Sequence, residues 1–189
     1  MTRRDEILRA AQHAFLKYGL NKITLDDIAQ ECGIKKTALY YYFNSKDEIL
    51  AQMILLKLQE YRDLIVEAVN KTRTVRERLR TYMFTKISIM QNNTPFFKLF
   101  EKEGLPSKAK NFLNEHKKKI MNDDFKLVKS IIAQGIENKK ISFQMKDSLA
   151  LMILGVTYGT FVGKFLENTD WDIDSMIDTA IEVIFKGIE

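Results

Sequence analysis

A chain of 189 residues, 46% hydrophobic and 29% charged, can bury a sizeable core, and no low-complexity tract marks it as disordered. The net charge of +5 is uneven: residues 102–140 carry 10 Lys/Arg against 5 Asp/Glu, and residues 141–189 carry 3 against 8. A basic average therefore does not by itself imply nucleic acid. One cysteine, Cys32, excludes an internal disulfide framework and fits a reducing compartment. The N-terminal MTRRDEILRAA lacks the apolar core of a signal peptide. The uncharged run at residues 148–163 is shorter than the roughly 20 residues of a membrane helix. The chain reads as a cytoplasmic protein without a membrane segment.

Eight glycines and two prolines encode few turns, and long helices are expected. Ile7, Ala10, Ala11, Ala14, Phe15 and Tyr18 form one stripe of a helix over 3–18, and Gly19 suits its stop. Thr24 is a good N-cap for a short helix to about residue 32, with Leu25, Ile28 and Ala29 facing inward. Gly33 breaks it, and another short helix covers about 35–42. Ser45 and Glu48 have capping-box spacing and open a long helix to about residue 69; Thr74 and Glu77 do the same for a helix to about 91. Pro95 suits the first turn of a further short helix, which Gly104 and Pro106 end. Ser107 can cap a helix to about 138, and helices follow at about 147–167 and 174–187. The fold class is all-α, with about nine helices.

Two short helices joined by a tight turn at Gly33, roofed by the 3–18 helix, have helix-turn-helix proportions. In such a unit the second helix lies in the DNA major groove, leading with its N-terminal residues. Here those are Lys35, Lys36 and Thr37. Helical spacing turns Leu39 and Phe43 inward and sets Tyr40 and Tyr41 at the outer edge. A tyrosine hydroxyl can bond a phosphate oxygen while its ring packs on sugar or a thymine methyl.

The pattern Ile7-Leu8, Ala10-Ala11, Phe15, Gly19, Thr24, Ile28-Ala29, Gly33, Leu39-Tyr40, Tyr42-Phe43, Lys46 and Leu50 resembles the N-terminal signature of the TetR family of transcriptional repressors. The resemblance covers about 45 residues. It implies a helix-turn-helix DNA-binding domain over 1–46 and a helical ligand-binding and dimerisation domain over 47–189. It also implies that Lys36, Thr37 and Tyr41 face bases while Thr24, Tyr40, Tyr42 and Lys46 hold the phosphate backbone. Position 35 departs from the family, where a small hydroxyl residue often caps the helix; Lys35 opposes the helix dipole by a few tenths of a kcal/mol. Contact with phosphate offsets that, so Lys35 joins the DNA contacts. Asp26 and Asp27 place negative charge near the same face; Asp26 is expected either to cap or to face solvent, and it limits non-specific affinity.

Beyond that signature the resemblance is one of layout, and it implies a homodimer and a pocket among the middle helices. Flexible apolar residues there make pocket candidates of Met83, Phe84, Ile87, Met90, Phe97, Phe100, Phe112, Phe125, Met152 and Tyr158, although such residues are also ordinary core. They suggest a small effector that is apolar, lipid-like or a flat aromatic. Gly155, Gly159 and Gly163 recur on one helix face at a cost of roughly 1 kcal/mol each against alanine. Close approach of another helix, within the chain or across a dimer axis, offsets that cost. Cys32 reads as a small buried residue at a helix end, and His13 as a surface residue.

No cysteine–histidine cluster has metal-ligand spacing, and Asp170, Asp172 and Asp174 lack the glycine and terminal glutamate of a calcium loop, so they read as a helix cap. No phosphate loop, serine elbow or catalytic carboxylate pair is present. Neither enzyme activity, metal nor cofactor is expected. The expected function is a repressor that binds a palindromic double-stranded operator and is released by its effector. The competing readings are a DNA-binding regulator controlled by a protein partner with no small-molecule effector, and an activator.

Overall fold

The computed structural model describes residues 2–93, 103–137, 146–167 and 172–186; residues 117, 118, 120, 121 and 161–167 are described by their backbone alone. Eight helices and no strand occur among the described residues: α1 (Arg3–Tyr18), α2 (Leu25–Glu31), α3 (Lys36–Tyr42), α4 (Lys46–Asn70), α5 (Val75–Asn92), α6 (Ser107–Glu137), α7 (Lys146–Glu167) and α8 (Ile173–Lys186). The all-α class stands. The short helix expected after Pro95 lies outside the described residues.

The chain packs as two units, one of Met1–Glu60 with Asn93–Lys118, the other of Tyr61–Asn92 with Lys119–Glu189. In the first, Ile7, Leu8, Ala11, Ala14 and Phe15 of α1 meet Ile28 and Ala29 of α2, Leu39 of α3 and Phe43 in one apolar cluster. Ile49, Leu50, Met53 and Ile54 of α4 belong to the same cluster. Residue 46 therefore begins a helix, while the packing units part at residues 60 and 61, inside that helix.

Capping fixes where these short helices begin. Thr24 accepts the Asp27 N–H at 3.2 Å, and the Asp27 carboxylate accepts the Thr24 N–H at 2.8 Å. Glu48 N–H donates to Ser45 Oγ, but the Glu48 carboxylate reaches past Ser45 to accept the Asn44 N–H at 2.9 Å. At α6 the first helical carbonyl acceptor is Pro106, one residue earlier than the expected cap at Ser107. Asp172 accepts from the Asp174 and Ser175 N–H groups and so caps α8; Asp170 lies outside the described residues.

Gly33 sits at φ +64°, in the left-handed region that costs other residues roughly 1–2 kcal/mol. There the Gly33 N–H donates to the Gln30 carbonyl and the Ile34 N–H to the Ala29 carbonyl, both at 3.0 Å. This Schellman closure ends α2 and turns the chain into α3.

The second unit is built on α5, whose Val75, Leu79, Tyr82, Met83 and Ile87 lie on one buried stripe. They pack with Val128, Ile131 and Ile132 of α6, Ala150 and Ile153 of α7, and Ile177, Ile181 and Phe185 of α8. Ile65 and Val69 from the far end of α4 join this second cluster. No helix of the described residues is long and apolar enough to cross a membrane.

Candidate nucleic-acid interface

The stretch KTALYYYF divides by helical period. Leu39 and Phe43 are buried in the core of the first unit, whereas Tyr40 is 49% and Tyr41 89% exposed. Tyr42 is half-buried against that core, and its ring meets Tyr41 edge-on with centroids 5.7 Å apart. Lys35, Lys36 and Thr37 are exposed beside them. Two cations, a hydroxyl and two phenols thus form one ridge on α3, the residue types that bond phosphates and base edges.

Three details of this ridge come from tertiary contacts. Lys35 occupies the N-cap of α3 and makes no side-chain capping bond, so its ammonium stays outside the helix. Lys36 Nζ lies 2.7 Å from Asp26 Oδ2 on α2, which holds the Lys36 pKa above its ordinary value. Thr24 is exposed, but its hydroxyl donates to Asp27 at 2.6 Å as part of the α2 cap.

Lys46 faces the α1–α2 loop, where its Nζ donates to the Leu20 carbonyl at 2.9 Å and the Ile23 carbonyl at 3.1 Å. It thereby ties the start of α4 to the loop that leads into α2. Two of its three N–H groups are committed, and one remains for a phosphate. The Glu103 carboxylate accepts the Asn21 N–H of the same loop at 3.0 Å.

Cys32 is inert in this setting. Burial raises its thiol to about 11, and Sγ points at the Ile7 carbonyl at 3.6 Å. His13 is exposed on α1.

Residues 7–53, the three short helices and the start of α4, match the family model described as bacterial regulatory proteins, tetR family. The "Fatty acid metabolism regulator protein" of Bacillus subtilis (strain 168) is 21% identical over 186 residues, covering 97% of this chain and 94% of that protein. Residues 7–53 belong to the tetR family of bacterial regulatory proteins.

The "HTH-type transcriptional repressor KstR2" of Rhodococcus jostii (strain RHA1) is 23% identical to this chain, over 98% of it and 91% of its own length. The same fold occurs in the crystal structure of the transcriptional regulator FadR from Bacillus subtilis in complex with stearoyl-CoA. Its TM-score is 0.69 at 19% identity, with 97% of this chain and 98% of that one covered.

The pocket candidates scatter. Met83 and Ile87 are fully buried in the core of the second unit, where Phe125 packs partly buried and Tyr158 is half-buried. Met90 is half-buried, while Phe84 is on the surface beside Arg80, 6.0 Å from its ring. Phe112 belongs instead to the first unit, stacked on His116 at 4.7 Å. Met152 is 60% exposed and faces outward with Leu151 and Val156. Helical period explains the difference: Met152 sits on the face of Gly155 and Gly159, and not on that of Ala150 and Ile153. Phe97 and Phe100 lie outside the described residues, as does the environment of Gly163.

Asp124, which with Asp123 superficially suggests cation binding in the sequence, instead joins a buried polar cluster. Asp124 on α6 is 5% exposed, pairs closely with Lys86 of α5, and accepts the Tyr158 hydroxyl of α7 at 2.8 Å. Lys86 also lies 5.3 Å from the Tyr158 ring centroid. The nearby Tyr82 hydroxyl is buried without a hydrogen-bond partner among the described residues, and both phenols are pushed to higher pKa by burial. The signal was there: Lys86 falls four residues after Tyr82, and Asp124 four before Val128, both in core register.

Lys46→Met retains the stem and removes the ammonium. Losing two hydrogen bonds to loop carbonyls is expected to cost about 2 kcal/mol of stability, measured by urea unfolding of the free protein. A purely phosphate-binding lysine would leave that stability unchanged.

Proposed function

We propose that the regulator is a ligand-responsive repressor that binds a palindromic operator as a homodimer in the cytoplasm. The observation that carries the DNA reading is the division of α3: Leu39 buried within the first unit, with Lys36, Thr37, Tyr40 and Tyr41 presented outward. In the major groove Lys36, Thr37 and Tyr41 would read base edges. Lys35, Tyr40 and Tyr42 would hold phosphates. Thr24 and Lys46 keep the frame: Lys46 has one N–H left for the backbone of the duplex, while the Thr24 hydroxyl would have to turn from Asp27 to bond a phosphate.

Support for the dimer comes from α7. Leu151, Met152, Gly155, Val156 and Gly159 are exposed on one face, and a Cβ on either described glycine would meet nothing within 4 Å. No contact among the described residues explains those glycines. An apolar face with two glycines fits a second copy of the same helix, with Val183 on the outward side of α8 beside it in the proposed seam. Two reading heads related by a twofold axis fit a palindromic site.

Support for the effector comes from the relatives, one a fatty acid metabolism regulator and one structure holding stearoyl-CoA. We take the effector to be an acyl-chain compound, apolar along most of its length. Helix α4 contributes to both apolar clusters, through Ile49 to Ile54 at one end and Ile65 and Val69 at the other. It is the covalent route by which ligand binding would alter the spacing of the two heads.

Lys36→Ala and Tyr41→Ala are each expected to weaken operator binding by roughly 1–3 kcal/mol while leaving random duplex much less affected. Fluorescence anisotropy with a duplex selected from a randomised pool measures both. Equal losses on selected and random DNA would remove these residues from base reading.

Gly159→Leu has free space within its own chain and is expected to fold normally, yet to sediment as a monomer. An unchanged dimer would place the seam elsewhere.

Calorimetry with stearoyl-CoA, with and without saturating operator, tests the release mechanism. Ligand that lowers operator affinity 100-fold requires about 2.7 kcal/mol of coupling, and by linkage operator must weaken ligand binding by the same factor. Identical ligand affinities in both titrations would rule the mechanism out.

A further inference from the structure

Asp26 is the second residue of α2, and its side chain is 65% exposed. The capping of α2 is already complete through Thr24 and Asp27, so Asp26 serves no cap. Among the described residues its carboxylate accepts one hydrogen bond, from Lys36 Nζ at 2.7 Å. An ion pair this exposed contributes little to stability. What it does change is the state in which Lys36 meets DNA.

We infer that Asp26 is an intramolecular competitor for Lys36 that sets how strongly the regulator discriminates its operator from random DNA; this rests on α3 being the DNA-reading helix. Non-specific binding is driven by lysines and arginines that neutralise phosphates and release condensed counterions, about 0.9 per phosphate. Lys36 starts with its charge already matched by Asp26, so trading that carboxylate for a phosphate exchanges one anion for another. After the exchange Asp26 is left unpaired close to a polyanion. Random sequence therefore gains little from Lys36.

An operator that presents Lys36 with paired acceptors, such as O6 and N7 of a guanine, offers what the single Asp26 oxygen does not. Only there does the exchange become favourable. Lys35 is the complementary case: it is exposed, with neither a capping bond nor an ion pair among the described residues, and is available to any phosphate. Adjacent lysines on one helix thus take different tasks. Lys35 supplies attraction to all duplexes, and Asp26 reserves Lys36 for the right one.

The test uses the full chain with Asp26→Asn, which keeps the shape and removes the charge. Binding to a random duplex and to one selected by the wild-type chain is followed by fluorescence anisotropy across a salt series. The Asn variant is expected to bind random duplex about three- to tenfold tighter, with a salt slope steeper by about one ion. Its gain on the selected duplex should be smaller, so the discrimination ratio falls. In a Lys36→Met background the gain from Asp26→Asn should shrink to little or nothing, because the competitor has lost its lysine.

Random-duplex affinity and slope unchanged by Asp26→Asn would overturn the inference. So would a full gain persisting without Lys36, since Asp26 would then act only as one more surface charge. A wild-type chain that holds no duplex even at low salt would overturn the DNA reading itself, and the inference with it.

Discussion

Helices α2 and α3 have seven residues each, too short to persist alone in water, where nucleation costs more than so few bonds return. They persist because Ile28, Ala29, Leu39 and Phe43 are buried in one cluster with Phe15 of α1 and Leu50 of α4. Every other property of the reading surface follows from that burial. Leu39 and Phe43 lie four residues apart and consume one stripe, from which Tyr40 and Tyr41 turn outward; Lys36, in the first turn of α3, stays exposed and reaches Asp26. The Phe43 ring is held further by Arg4, whose guanidinium stands 4.7 Å above it and also reaches Glu48.

The same surface shows why charge count is a poor guide to nucleic-acid binding. Residues 1–50 hold 8 Lys/Arg against 7 Asp/Glu, hardly a basic domain, yet they carry the helix proposed to read DNA. Lys36 is matched by Asp26 and so adds little to a diffuse positive field in the free protein, whereas Lys46 keeps its charge but is held in place by the neutral Leu20 and Ile23 carbonyls. Such local pairing favours geometry over bulk attraction, which suits a protein that must ignore most of the DNA around it.

In the second unit a different economy operates. Close-packed isoleucines from α6, α7 and α8 surround Leu79, Met83 and Ile87, yet Lys86 and Asp124 sit among them as a shielded pair. Replacing both by apolar groups would not be expected to weaken such a core, because desolvation consumes much of the attraction between buried charges. Removing one partner alone would, since the other charge would be left unmatched. The pair, with the Tyr158 hydroxyl on Asp124, fixes the mutual register of α5, α6 and α7 in a way that apolar packing does not.

The all-α class, the helix order and the division of the YYYF stretch were legible because they are local. Period, capping residues and Gly33 act over three to five residues, and the reading of Leu39 and Phe43 inward with Tyr40 and Tyr41 outward needed only helical spacing. Thr24 and Asp172 were likewise readable as caps, since a cap bonds within its own turn. What the tertiary structure decided lies across long sequence separations: Lys46 on a loop 23 and 26 residues earlier, Asp26 on Lys36, and Asp124 with Lys86 and Tyr158. It also moved Met152 to the outer face and Phe112 into the first unit, because an apolar residue shows only that it seeks a neighbour and not which one. Partners brought together by folding leave no periodic mark on either segment, so the charge of Lys36 was visible in the sequence while its pairing with Asp26 required the fold.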